Sequence, residues 1–232
     1  MKDFLENIDI IDINEYAEKV KKMSQNMESL FSDNAGIHRT AYLSWNMRDI
    51  IDSEEEKLIF LADSYYFVSK KTLEECFECY ENRDADRLIF PILFCFIQTI
   101  ELYFKAIIIV MEKISEEKDI SISKYGHNLK KLYEYIKKRM EKEEGSEQLL
   151  TGLNLIYNFI NNIYNKTNDL TFMRYPYTNK GEEQFYLKQR EVIDLDILYE
   201  NMEYVYDMLK FIYLNYSSKL EIMGEMRNSY LY

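Results

Sequence analysis

The feature of this sequence that most constrains its fold is an apolar stretch at residues 88–111. As a helix it is long enough to cross a bilayer. Two charged residues, Glu101 and Lys105, stand near its centre, and a charge in the middle of a membrane span costs about 2.5–3.5 kcal/mol. The stretch therefore predicts a buried helix at the core of a helical protein, with no membrane involved.

Helical periodicity continues along most of the chain, which contains only 6 Gly and 2 Pro. We predict an all-α fold, a single helical bundle of six or seven helices. The predicted helices are an amphipathic one within residues 2–32 and one from the capping residues 52–56 to about residue 82. Others are predicted at 85–114, from the turn at 126–128 to about 142, at 146–164 and at 195–223. Residues 36–47 predict a short helix or a loop. Residues 167–192, with Pro176 and an Asn-Lys-Gly turn, predict an irregular loop or short hairpin.

No internal repeat and no clean linker interrupts the sequence. We predict one domain over residues 1–232, with an N-terminal extension at 1–50 and a helical core at 52–223. The last predicted helix is rich in Tyr and Met, and its apolar side chains pack either in the core or against a second copy of the chain. These side chains are Tyr199, Met202, Tyr206, Leu209, Ile212 and Tyr213.

Composition excludes several classes of protein. The chain of 232 residues has a net charge of −12, but its 21 Tyr and 13 Phe are too many for a disordered acidic protein. Three cysteines are too few for a disulfide scaffold, and the acidic N-terminus lacks the apolar run of a signal peptide. We expect a cytoplasmic protein.

Charge is unevenly distributed along the sequence. Residues 1–63 carry a net charge of −7, whereas residues 124–143 carry +4. Such segments are ordinarily solvated helix faces. The alternative is that the basic segment faces phosphate groups within an otherwise acidic protein.

Glu101 and Lys105 are four residues apart, so a helix places them on one face in the favourable order. Charges on so apolar a helix have to be paired or have to line a cavity. They form either a structural ion pair or part of a polar site between helices.

His127 lies between Gly126 and Asn128 at the predicted start of a helix. A histidine in a turn can act as a general acid or base because its pKa lies nearest to neutrality. The alternative is a capping or surface residue. His38, next to Arg39, has no evident partners in the sequence and is predicted to be structural or exposed.

Arg174, Tyr175 and Pro176 lie in the predicted irregular segment, where functional residues concentrate. An arginine there can bind phosphate or carboxylate, and a tyrosine can stack on a base. The alternative is that Arg174 pairs with a carboxylate of the core, such as Glu101.

The sequence contains no glycine-rich phosphate loop and none of the GxSxG, HExxH or EF-hand motifs. Cys76 and Cys79 form a single CxxC, and Cys95 and His127 would be needed to complete four zinc ligands. Zinc normally takes its ligands from two such pairs. We predict reduced, buried thiols, with no metal and no cofactor.

Three segments together resemble bacterial HEPN-type helical domains. They are residues 98–106 (QTIELYFKA), 125–129 (YGHNL) and 172–176 (FMRYP), which are similar to an ExxxKA-like helix, a GH(D/N)L helix start and a later RYP segment. The resemblance covers about residues 58–223. It implies an all-α bundle, frequently a homodimer, found in toxin–antitoxin and anti-phage systems. Many members are metal-independent ribonucleases whose sites combine an Arg and a His.

The chain departs from that family in one respect. The usual R-x4-6-H motif is absent, because no arginine precedes His38 or His127 at the required spacing. Arg174 would have to meet His127 through the fold or across a dimer. Under this hypothesis the catalytic residues are His127, Arg174, Lys105 and Glu101, and substrate contacts come from Asn128, Tyr175, Lys130 and Lys131.

We therefore expect a HEPN-like protein of a bacterial defence or toxin system that acts on RNA. The specific hypothesis is a metal-independent endoribonuclease that forms a homodimer and has an antitoxin or defence protein as its partner. The first alternative is a catalytically silent HEPN-like module that binds a nucleotide, an RNA or a partner protein. The second is a structural helical protein in which Glu101, Lys105 and Arg174 form a buried ion network.

Overall fold

The computed structural model describes Glu18, Lys21 and residues 51–78, 84–115 and 126–229. The chain divides into two units, Met1–Leu43 and Ser44–Tyr232, and all further description concerns the second. Its described residues form six α-helices: α1 (Glu54–Glu78), α2 (Ala85–Ser115), α3 (Leu129–Met140), α4 (Glu147–Tyr164), α5 (Phe185–Lys188) and α6 (Leu195–Ser229). A 3₁₀ turn at Leu170–Met173 lies between α4 and α5. The all-α prediction is confirmed.

The helices follow the predicted segments closely. Helices α2 and α4 begin and end within one residue of the predicted bounds, α3 ends two residues early, and α6 continues past residue 223 to Ser229. The predicted N-terminal helix, the segment at 36–47 and the predicted end of α1 near residue 82 lie outside the described residues.

Helix α1 begins where its capping residues predict. The hydroxyl oxygen of Ser53 accepts a hydrogen bond from the backbone N–H of Glu56 at 3.2 Å, and three glutamates occupy the first turn. The side chain satisfies one of the unpaired N–H groups of the first turn, and the acidic residues interact favourably with the positive end of the helix dipole.

Helix α2 is the central element of the fold. It contacts α1, α3, α6 and the 3₁₀ turn. It is the one helix in the described part of the chain that is long and apolar enough to cross a membrane, but 72% of its most apolar window is buried against the protein. Pro91 lies within the helix at an exposed position, and the helix continues through it.

Helix α6 turns its predicted apolar residues inward. Met202, Leu209, Ile212 and Tyr213 are buried, and the predicted residues Tyr199 and Tyr206 are half-buried against the core. Of the two predicted roles for this face, packing within the protomer is the one that the structure shows.

The segment between α4 and α6 is irregular, as predicted. It contains the 3₁₀ turn, an isolated antiparallel bridge between Tyr177 and Glu183, and the single-turn helix α5. Gly181 takes φ of +78° in the turn that closes this bridge, a conformation that favours glycine. The 3₁₀ turn packs against α2 and so brings this segment beside the central helix.

Candidate functional site

The central helix supplies a buried carboxylate. Glu101 on α2 is only 3% exposed, and the ammonium nitrogen of Lys105, one turn later, lies 2.7 Å from its Oε1. The side chain of Lys105 is itself only 15% exposed. The two charges are therefore paired in a poorly solvated environment, where their attraction is weakly screened.

His127 brings an imidazole ring to the same carboxylate. It lies in the turn before α3, directly after Gly126, whose φ of +52° lies in the left-handed region. The Nδ1 atom of His127 is 2.8 Å from Oε1 of Glu101, the oxygen that Lys105 also contacts. Residues 26 positions apart in the chain thus form a Lys–Glu–His cluster.

The cluster determines which nitrogen of His127 can accept a proton. An ionised carboxylate can only accept hydrogen bonds, so Nδ1 of the neutral ring carries the hydrogen and Nε2 has the free lone pair. The side chain of His127 is 84% exposed, so Nε2 is accessible to a substrate. A histidine oriented in this way by a buried acid is suited to general-base chemistry.

The first turn of α3 places three more predicted residues beside His127. The Oδ1 atom of Asn128 accepts a hydrogen bond from the backbone N–H of Lys131 at 3.0 Å, which caps the helix. The side chains of Lys130 and Lys131 are exposed. Of the two lysines, Lys130 borders the cavity described next.

A polar cavity of about 380 Å³ opens beside His127. One wall comes from the start of α3 and the other from the end of α4 and the approach to the 3₁₀ turn. The lining residues are His127, Asn128, Lys130, Asn161, Tyr164, Asn168 and Leu170. Its volume is in the range of small-molecule sites, and its side-chain amides, phenol and ammonium group offer both donors and acceptors.

Tyr164 of this wall and its neighbour in the chain segment that follows, Asp169, have shifted pKa values. Burial raises the pKa of Tyr164, and the negative charge of Glu101 contributes to the shift. The Tyr164 hydroxyl is therefore protonated at neutral pH. Asp169 caps the 3₁₀ turn, and its hydrogen bonds with Thr171 lower the pKa of its carboxyl. The capping bond from the Thr171 N–H is 2.9 Å long and fixes the turn that carries Leu170.

Arg174 follows the 3₁₀ turn and occupies a different position from His127. Its guanidinium carbon lies 5.7 Å from the ring centre of Phe94 on α2 and 5.5 Å from that of Tyr175. Within the described part of the chain, no hydrogen bond or ion pair joins Arg174 to Glu101 or His127. The predicted catalytic set is thus divided into the Lys–Glu–His cluster and a separate arginine.

The two described cysteines lie on the first two helices. Cys76 on α1 is buried and Cys95 on α2 is half-buried, and burial raises the pKa of the Cys95 thiol. Among the residues that the structure describes, no group of three or more His, Cys, Asp or Glu side chains is arranged to hold a metal ion. Cys79 and His38 lie outside these residues.

Sequence reasoning missed the second wall of the cavity. Asn161, Tyr164 and Asn168 were not predicted as site residues, although a signal is present. Asparagine recurs five times between residues 158 and 168, which is unusual in and after an apolar helix because asparagine favours turns and caps. That density indicates a polar surface on the last turns of α4.

The chain matches no family model, no curated protein and no solved structure.

Proposed function

We propose that this protein is a HEPN-like cytoplasmic protein that acts on RNA, with a metal-independent endoribonuclease site built on Glu101 and His127. The observation that supports the proposal is the 2.8 Å contact between His127 Nδ1 and Glu101 Oε1. It holds an exposed imidazole at the edge of a polar cavity of about 380 Å³. The motif resemblance adds the defence or toxin context, the homodimer and the partner protein as parts of the same proposal.

The proposed chemistry uses the ribose 2′-hydroxyl as nucleophile. Nε2 of His127 removes the proton of this hydroxyl, whose oxygen attacks the adjacent phosphorus. The bond from phosphorus to the 5′ oxygen breaks, the departing oxygen takes a proton from solvent, and a 2′,3′-cyclic phosphate remains. Lys130, which lines the cavity, supplies positive charge for the phosphate oxygens. Lys105 contributes indirectly, because its ammonium group pairs with the Glu101 carboxylate that orients His127.

A second candidate function is RNA or nucleotide binding without cleavage. The observation that favours it is the composition of the cavity, because no arginine lines it in the described part of the chain. Charge development on the phosphate would then be stabilised by a single lysine. A cavity rich in asparagine side chains also suits the recognition of base edges.

The experiment that tests the proposal is cleavage of total RNA and of a tRNA pool by the purified full chain in EDTA. We expect wild-type protein to cleave, and His127→Ala to reduce the rate at least about 100-fold, as expected for loss of a general base. The matched control is His38→Ala, which removes the only other histidine and should leave cleavage unchanged.

The products separate the two candidates. Fragments that end in a 2′,3′-cyclic phosphate support the proposed reaction, and cleavage that persists in His127→Ala contradicts it. A wild-type protein that binds these RNAs without cutting them supports the second candidate. Circular dichroism of each variant shows whether a lost activity reflects a lost fold.

A further inference from the structure

One face of helix α2 connects the His127 cluster to Arg174. Phe94 and Glu101 are seven residues apart, which on an α-helix is two turns, on nearly the same face and about 10 Å along the axis. Gln98 lies between them on that face and is half-buried. The Arg174 guanidinium lies over the ring of Phe94, and His127 contacts the carboxylate of Glu101. The guanidinium of Arg174 and the imidazole of His127 therefore contact opposite ends of one row of α2 side chains.

The 3₁₀ turn gives a second, independent measure of this spacing. Leu170 at the start of the turn borders the cavity, and Arg174 is the residue that caps its end. Four residues at about 2.0 Å rise each separate them by about 8 Å. By these rises the backbone of Arg174 is about 8 Å from that of the cavity residue Leu170, and the α2 residues that contact Arg174 and His127 are about 10 Å apart.

Arg174 lies over two aromatic rings, and with the hydrogen bonds from Thr171 its charge helps to lower the pKa of the Asp169 carboxyl. Its guanidinium carbon lies over the rings of Phe94 and Tyr175, as in a cation–π contact. Among the residues that the structure describes, no acceptor forms a hydrogen bond or ion pair with its side chain. Five N–H donors in a fixed plane are suited to bind a phosphate.

An exposed aromatic residue accompanies this arginine. The side chain of Tyr175 is 56% exposed, and it adjoins Arg174 in the chain. Exposed aromatic rings beside a cation bind single-stranded nucleic acid by stacking on its bases. The pair therefore offers a phosphate contact and a base contact together.

We propose that Arg174 and Tyr175 form a second subsite for single-stranded RNA, and that the strand runs from the His127 cavity past the 3₁₀ turn to this subsite. The proposal rests on the proposed function, namely that the cavity takes RNA. A separation of about 8–10 Å exceeds the distance between adjacent phosphates of one strand, so the phosphate that Arg174 contacts lies beyond the one bound in the cavity. Arg174 is a positioning residue for the strand and does not touch the reacting phosphate.

The test measures binding of two uncleavable 2′-O-methyl RNAs, a dinucleotide and a hexanucleotide, to the full chain by fluorescence anisotropy. The dinucleotide fills the cavity only, whereas the hexanucleotide also reaches the second subsite. We expect Arg174→Ala and Tyr175→Ala each to weaken hexanucleotide binding about 5–10-fold and to leave dinucleotide binding unchanged. Lys210→Ala is the control, because Lys210 on α6 also stacks on a tyrosine ring and its removal changes the net charge equally.

The salt dependence distinguishes a phosphate contact from a structural effect. Loss of one phosphate contact to a single strand lowers the slope of log Kd against log salt by about 0.7. We expect this change for Arg174→Ala, and we expect no change for Tyr175→Ala or Lys210→Ala. The second subsite would be overturned if Arg174→Ala weakened binding of the dinucleotide and the hexanucleotide equally. It would also be overturned if the slope of log Kd against log salt were unchanged in Arg174→Ala.

Cleavage assays separate this proposal from the proposed function. His127→Ala should abolish cleavage of an unmodified hexanucleotide and bind the 2′-O-methyl hexanucleotide within about twofold of wild type, since the residue contacts the reacting group. Arg174→Ala should raise KM and leave kcat unchanged. If the wild-type protein binds the hexanucleotide through Arg174 but does not cleave RNA, the second subsite is supported and the ribonuclease proposal is overturned. A wild type that binds neither oligonucleotide overturns both.

Discussion

At the residue scale, two buried glutamates show how the exposure of a partner decides the value of an ion pair. Glu101 pairs with Lys105 at 2.7 Å, and Glu55 on α1 pairs with Lys113 on α2 at 2.6 Å. The carboxylates are similarly buried, but the side chain of Lys105 is 15% exposed and that of Lys113 is 44% exposed. Only Lys113 can be rehydrated easily if its partner is removed.

We predict that Glu101→Gln destabilises the protein by about 3 kcal/mol, because it leaves Lys105 charged, poorly solvated and without its carboxylate. The matched variant Glu55→Gln should cost about 1 kcal/mol or less, since water replaces the lost charge at Lys113. Urea unfolding of the two variants measures both values. Equal losses would show that the exposure of the lysine does not control the energy.

How far these residues could be predicted depends on how far apart they are in the chain. The Glu101–Lys105 pair follows from its spacing within one helix. The contact of His127 with Glu101 spans residues 101–127 and depends on how α3 packs against α2, which periodicity cannot supply. For the same reason the sequence left open whether Arg174 pairs with Glu101. In the structure the guanidinium of Arg174 lies over the ring of Phe94 instead.

At the scale of the element, the helices themselves were predictable because apolar periodicity and capping agree. The bounds of α2 and α4 follow from those signals. Pro91 does not break α2, because its position is exposed and the flanking turns are held by the core. The cavity wall at the end of α4 was missed because asparagines in a sequence are ordinarily interpreted as surface residues. Only the packing of α3 beside α4 shows that these asparagines line a cavity.

Helices α4 and α6 approach closely at Gly152. A Cβ atom there would lie 3.1 Å from the sulfur of Met208 on α6, and Gly152 is buried. We predict that Gly152→Val destabilises the protein by about 1–3 kcal/mol, since the branched side chain forces the two helices apart. Gly224→Ala on α6, where nothing lies within 4 Å, should instead stabilise it by about 0.5–1 kcal/mol.

Thermal unfolding of the two glycine variants compares crowding with helix propensity. The melting temperature should fall for Gly152→Val and rise for Gly224→Ala. A rise for both variants would mean that Met208 yields without cost and that α4 and α6 are not closely packed at this point.

At the scale of the whole molecule, buried and half-buried tyrosines connect the three longest helices of the described part of the chain. Asp63 on α1 accepts hydrogen bonds through Oδ1 from Tyr103 on α2 at 2.7 Å and from Tyr206 on α6 at 2.9 Å. Tyr66 on α1 stacks on Tyr206, with ring centres 3.6 Å apart, and donates a hydrogen bond to Glu203 on α6. This network was not predicted, because its members come from helices that are distant in the chain.

Burial and the neighbouring carboxylates raise the pKa of Tyr66, Tyr103 and Tyr206 well above the ordinary value of about 10. The folded state therefore holds these protons more tightly than the unfolded state. Their contribution to stability is complete below pH 10 and is lost as the pH rises. Each group lowers stability by about 1.4 kcal/mol per pH unit above that point, so the three together lower it by about 4 kcal/mol per unit.

We predict a cooperative alkaline transition that begins above about pH 10 and is complete by about pH 12, since total stabilities are about 5–15 kcal/mol. The helical circular dichroism and the absorbance of the buried tyrosinates should change together. Tyr206→Phe should reduce the pH slope of the unfolding free energy by about 1.4 kcal/mol per unit. Tyr204→Phe, which changes a 59% exposed side chain on the same helix, should leave the slope unchanged. If every tyrosine titrated near pH 10 while the helices stayed intact, the pKa values of the network tyrosines would not be raised by folding. Helices α1, α2 and α6 would then be held together by packing alone.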